Sequence, residues 1–169
     1  VYLARDLLDN RREVALKVSR GEVAPEQILR EFRILRELRH PRIARAFDFG
    51  RLYQSGNFNR SGPTYFTLEY VNGPNLEKQG PALRRKWKEG QKSPLFDVFL
   101  QITSALHYLH RKGLIHQDLK PANVVFSEGR VKLIDFGLFE NTDHEESYRP
   151  RGTAYYTAPE IFELGPIDH

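Results

Sequence analysis

The chain contains no cysteine and no methionine. Without thiols it can build neither a disulfide framework nor a thiolate metal site, and a reducing compartment is permitted. No apolar run approaches the ~20 residues of a membrane-spanning helix and no secretory signal opens the chain, so no membrane segment is expected and the expected location is cytoplasmic. A strong charge of one sign is missing too. The 26 Lys+Arg against 22 Asp+Glu leave a formal charge of +4, with the two signs interleaved over most of the length. Such a balance suits an anionic ligand such as a nucleotide without demanding nucleic acid, which is not expected as a partner. There is no internal repeat and no low-complexity tract. With no initiator methionine and Val1 opening inside a strand-like run, both ends read as cuts.

What is present, 169 residues with 40% hydrophobic and 12% aromatic content, suffices for a buried core. Residues Arg12 to Val18 alternate, with Val14, Leu16 and Val18 on one face and Ala15 and Lys17 on the other, which is strand periodicity. From about Pro25 to Arg39 the spacing predicts a helix with Ile28, Phe32, Leu35 and Leu38 on one stripe. Glu31 falls on that stripe, and a carboxylate on an apolar face needs a cation. Ile43 to Tyr53 and Thr64 to Tyr70 read as strands, joined by a solvated loop from Gln54 to Pro63. Asn72 to Asn75 break regular structure, and a basic segment from Arg84 to Lys92, with the only tryptophan, Trp87, follows. Ser93 and Pro94 read as the N-cap and first residue of a helix whose stripe runs from Leu95 to Leu109. Val124 to Phe126 and Val131 to Ile134 read as a small hairpin around Ser127 to Gly129.

The polar residues at the edges of these elements are Lys17 in Val-Ala-Leu-Lys, Glu31 on the first helix, and His116, Asp118, Lys120 and Asn123 in His-Gln-Asp-Leu-Lys-Pro-Ala-Asn. Asp135 in Asp-Phe-Gly and the run Ala158-Pro159-Glu160 come after them. Each piece alone is weak: Val-Ala-Leu-Lys is usually an ordinary strand, Asp-Phe-Gly a turn, and a lone histidine a core residue. In this order and spacing, over Val1 to about Ile161, the chain resembles the eukaryotic-type protein kinase family, serine/threonine branch.

That resemblance implies an α+β, two-lobed kinase fold, incomplete at both ends: an N-lobe over 1–71, a hinge and inter-lobe insertion over 72–92 and a partial C-lobe over 93–169. It implies ATP and Mg²⁺ as cofactors and a protein substrate with a Ser or Thr acceptor. Lys17 matches the lysine that reaches the α and β phosphates, and Glu31 the carboxylate holding its ammonium. Asn123 and Asp135 match the magnesium ligands, Asp118 the residue that takes or orients the hydroxyl proton, and Lys120 its neighbour near the transferring phosphate. Thr153 matches the threonine that in this branch bonds the catalytic aspartate and lysine. Leu68 matches the gatekeeper, Glu69 to Val71 the hinge, and Val1, Ala15 and Val125 the apolar shelves around the base. Leu35, His116 and Phe136 match a stack linking the lobes.

Departures from the pattern are also legible. The glycine-rich loop expected before Val1 is not in the chain, so weak ATP binding is expected, and so are missing helices after Ala158-Pro159-Glu160. Gln117 stands where arginine is usual, and Asn75 where an acidic residue often meets the ribose. Two rival readings are a pseudokinase scaffold and a small-molecule kinase of the same fold. Retention of six separate polar groups argues against the first, and Thr153 with Ala158-Pro159-Glu160 against the second. For Arg84 to Lys92, a solvated insertion is favoured over a nucleic-acid patch.

Overall fold

The computed structural model describes residues 1–19, 25–52, 62–116, 118–127, 129–136, 140–141 and 156. They divide into two units, Val1–Arg39 with Ala44–Tyr70, and His40–Ile43 with Val71–His169.

In the first unit the alternation at Arg12 becomes a strand. β1 (Tyr2–Asp6), β2 (Arg12–Val18), β3 (Ala46–Arg51) and β4 (Thr64–Glu69) form one antiparallel sheet in the order β1-β2-β4-β3. Its register pairs Ala15 with Leu68 and Lys17 with Phe66, so these four side chains share a face. The helix α1 (Pro25–Glu37) lies on that face. Its Phe32 ring sits 5.5 Å from Phe49 and 6.0 Å from Phe66, and Ile28 and Leu35 are buried with it. Arg30, Arg33 and Glu37 point to solvent, as an amphipathic helix requires.

The second unit is built on α3 (Ser93–His110), whose Val98, Ile102, Ala105 and Leu109 are buried. Against it lies a hairpin of β6 (Val124–Ser127) and β7 (Arg130–Leu133), preceded by a single 3-10 turn over Pro121–Asn123. Gln101 Oε1 on α3 accepts from the Val131 amide at 3.0 Å. A short strand β5 (Leu114–Ile115) pairs with β8 (Glu140–Asn141).

Three boundaries differ from the sequence reading. The segment expected as hinge and insertion holds a 13-residue helix, α2 (Leu76–Lys88), which belongs to the second unit. It starts where Asn75 Oδ1 accepts from the Lys78 amide at 3.1 Å, a side-chain N-cap. Lys92, not Ser93, stands at the N-cap of α3, and Ser93 Oγ instead bonds Asp97 Oδ2 at 3.3 Å. His40–Ile43 joins the second unit because the Leu133 amide donates to Arg42 O at 2.8 Å and Ile43, 1% exposed, bridges to Leu133.

Candidate active site

In the first unit Lys17 lies on the sheet face that α1 covers. Its Nζ donates to Glu31 Oε1 at 2.8 Å and stands 5.6 Å from the centre of the Phe66 ring. The side chains are 19% and 12% exposed, enough shielding for the attraction to exceed that of a surface pair. Glu31 on the apolar stripe thus has the cation its position demands. Ala15, beside Lys17 on the same face, directly opposes the buried Leu68. The Glu69 amide donates to Arg45 O at 2.7 Å, and its carboxylate accepts from the Arg45 amide at 3.3 Å. Val1 precedes β1 and is 72% exposed.

In the second unit the loop after β5 gathers three polar side chains. Lys120 Nζ donates to Asp118 Oδ2 at 2.7 Å, and Asn123 Nδ2 donates to the same oxygen at 3.1 Å and to Asp118 O at 2.9 Å. The 3-10 turn makes this possible: the Asn123 amide donates to Lys120 O at 2.9 Å, folding the chain back so that Asn123 faces Asp118. A carboxylate held by two donors has a fixed orientation and remains able to accept a proton from a hydroxyl. Asn123 is 5% exposed, and its side-chain oxygen accepts no hydrogen bond among the described residues.

Asp135 follows β7 in a left-handed backbone conformation, φ 57°. Aspartate tolerates that region better than most residues, yet holding it there still costs about 1 kcal/mol. Ile134, just before it, donates its amide to Asn123 O at 2.9 Å, which ties the strand end to the Asp118 loop. Beyond the bend Phe136, 1% exposed, packs on His116 with ring centroids 4.8 Å apart. His116 is 2% exposed, and neither of its ring nitrogens has a hydrogen-bond partner among the described residues. Burial pulls its pKa down from 6.5 to about 4, against the opposing pull of its own backbone and of the Asp118 and Asp135 carboxylates, with Lys120 adding to the lowering.

No group of three or more His, Cys, Asp or Glu residues able to hold a metal occurs among the described residues. Asn123 and Asp135 supply an amide oxygen and a carboxylate, a hard oxygen set that fits Mg²⁺ when phosphates and water complete its shell. Asn75, expected near a ribose, uses its side-chain oxygen to cap α2 and bridges to the buried Val125. Val71 is half-buried in the second unit. Thr153, Gln117, Gly137 and Ala158-Pro159-Glu160 lie outside the described residues. The helix α2 escaped the sequence reading, although an asparagine ahead of Leu-Glu-Lys is a start signal with an acid in its first turn.

A lysine ion-paired to a helical glutamate, and an aspartate clamped by a lysine and an asparagine, are parts of the phosphoryl-transfer machinery of kinases. The sequence profile of the protein kinase domain matches residues 1–168, and the chain belongs to that family. It is 35% identical over 145 residues to the serine/threonine-protein kinase RUNKEL of Arabidopsis thaliana, which covers 83% of this chain and 10% of that protein. With the serine/threonine-protein kinase PknG of Mycolicibacterium smegmatis it shares 36% identity over 173 residues, 98% of this chain and 21% of the relative. A probable serine/threonine-protein kinase PknB of Bifidobacterium longum is 34% identical over 170 residues, 90% of this chain and 24% of that protein. The chain therefore spans between a tenth and a quarter of the length of these relatives. No described helix is long and apolar enough to cross a membrane.

Proposed function

We propose that this domain transfers the γ phosphate of MgATP to Ser or Thr hydroxyls of protein substrates in signal transduction. The observation that carries the reading is the clamp on Asp118, an oriented carboxylate with a cation 2.7 Å away. Asp118 accepts the hydroxyl proton while Lys120 offsets charge that develops on the transferring group. Lys17, held by Glu31, binds the α and β phosphates. Asn123 and Asp135 hold the magnesium ion, which when bound supplies charge neutralisation at the phosphates. Ala15, Leu68, Val125 and Val1 bound the adenine, with the backbone of Glu69 and Val71 at its edge. Asn75 offers the ribose its amide nitrogen, its oxygen already accepting one hydrogen bond in the cap. Thr153 is assigned to Asp118 and Lys120 by the family resemblance alone.

Transfer of labelled phosphate from ATP to a mixed protein substrate by the full-length protein, followed by phosphoamino-acid analysis, tests this. Phosphoserine and phosphothreonine should form in a magnesium-dependent reaction, and Asp135→Asn should abolish it while nucleotide binding survives. Phosphotyrosine as the main product would overturn the serine/threonine reading, and nucleotide binding with no transfer would establish a scaffold.

A further inference from the structure

Nothing in the phosphotransfer chemistry uses α2, yet this helix breaks two local rules. Gly80 and Pro81 sit in its interior, and they are the two residue types least favourable there. Burial does not explain them, since no residue of α2 is buried and a Cβ on Gly80 would meet nothing within 4 Å. Residues that weaken an element without a packing reward point to function. Among the described residues, they line an open surface groove of about 570 Å³ together with Arg84, Arg85 and Lys88. No carboxylate is among the described lining residues, although Glu89 Oε1 lies 4.0 Å from Arg85 Nε at the groove's end, and Arg84 and Lys88, one helical turn apart, are both exposed. Compensation of the helix dipole explains basic residues in the last turn, Arg85, Lys86 and Lys88, but not Arg84.

We propose that this groove docks a carboxylate-rich protein segment. The cations supply charge complementarity, and the bare Gly80 and Pro81 let an extended chain approach the helix. A single-stranded nucleic acid fits less well, because it needs an aromatic platform. The one tryptophan nearby is engaged: Trp87 packs on Phe96 with centroids 5.7 Å apart, and Lys92 Nζ lies 5.3 Å from its ring. Assigning the acidic segment to the phosphorylated substrate rests on the kinase reading; the groove itself does not.

Two arms separate these claims. In the first, a fluorescent peptide of alternating Glu and Gly is titrated onto the full-length protein without nucleotide and followed by anisotropy, beside a Lys/Gly peptide and a single-stranded oligonucleotide. Binding of the Glu peptide should weaken about fivefold in Lys88→Glu and about threefold in the milder Arg84→Gln. It should change less than about twofold in Lys86→Glu, the same charge reversal on an exposed residue outside the groove. In the second arm, appending the Glu segment to a serine peptide should lower KM with kcat unchanged, and Lys88→Glu should erase that gain. Equal losses in Lys86→Glu and Lys88→Glu, no binding of the Glu peptide, or tighter binding of the oligonucleotide would overturn the groove. A serine peptide that is never phosphorylated overturns the kinase reading and leaves the anisotropy result standing.

Discussion

His116 makes the folded second unit sensitive to mild acid, and the size of the effect follows from its burial. An unfolded histidine takes up a proton near pH 6.5, whereas in the fold desolvation delays protonation to about pH 4. Between these values the unfolded chain binds more protons, so stability rises with pH and is lost as pH falls through the window. The full loss attributable to this residue is about 3 kcal/mol, of which about 2 kcal/mol is incurred between pH 7 and pH 5. Carboxylates also titrate in acid, so the effect is isolated by His116→Phe, which keeps a ring against Phe136 and removes the proton site. Denaturant unfolding can be followed by the fluorescence of Trp87, the only tryptophan, which lies in the same unit. Measured with EDTA and without nucleotide, the fall in stability from pH 7 to pH 5 should be about 2 kcal/mol smaller in the variant. Parallel pH profiles, agreeing within about 0.5 kcal/mol, would refute the claim that His116 is buried neutral.

Two further predictions concern stability. Glu31→Gln removes the partner of a partly buried lysine and should destabilise the protein by about 2 kcal/mol, between the values for exposed and buried pairs; a double-mutant cycle with Lys17→Met by urea unfolding reads the coupling. Gly73→Ala would drive a Cβ into the carbonyl oxygen of Phe126 and to 2.8 Å from its carbonyl carbon. Backbone cannot yield as a side-chain tip does, so a loss of about 3 kcal/mol in thermal or chemical unfolding is expected.

How much of this was legible in the sequence depends on whether a residue's reason was local. The alternation from Arg12 to Val18 placed Ala15 and Lys17 on one face, and the observed register pairs them with Leu68 and Phe66. Glu31 on an apolar stripe implied a cation, and Lys17 meets it at 2.8 Å. In contrast, the apolar stripe of α2, Leu76, Leu83 and Trp87, is interrupted at Gly80 and Pro81, which argue against a helix locally, and none of its residues is buried. Its local signals are Asn75 and the first-turn Glu77, and the family resemblance directs Asn75 to a ribose rather than to a cap. The attachment of His40–Ile43 to the second unit depends on Leu133, some ninety residues on, and short-range spacing carries no trace of it. The left-handed bend at Asp135 was equally hidden, since aspartate there is compatible with several turn conformations.

The central claim is that Asp118 performs proton transfer in a phosphotransfer reaction. The most direct measurement is the initial rate of serine phosphorylation by full-length Asp118→Asn at saturating MgATP, with nucleotide affinity measured on the same sample. Asparagine preserves the size of the side chain and can still accept from Lys120 and Asn123, but it cannot take a proton. The account predicts a rate at least about a hundredfold below that of the unsubstituted protein, with nucleotide affinity changed less than about threefold. A variant turning over within about threefold of the unsubstituted protein would contradict it.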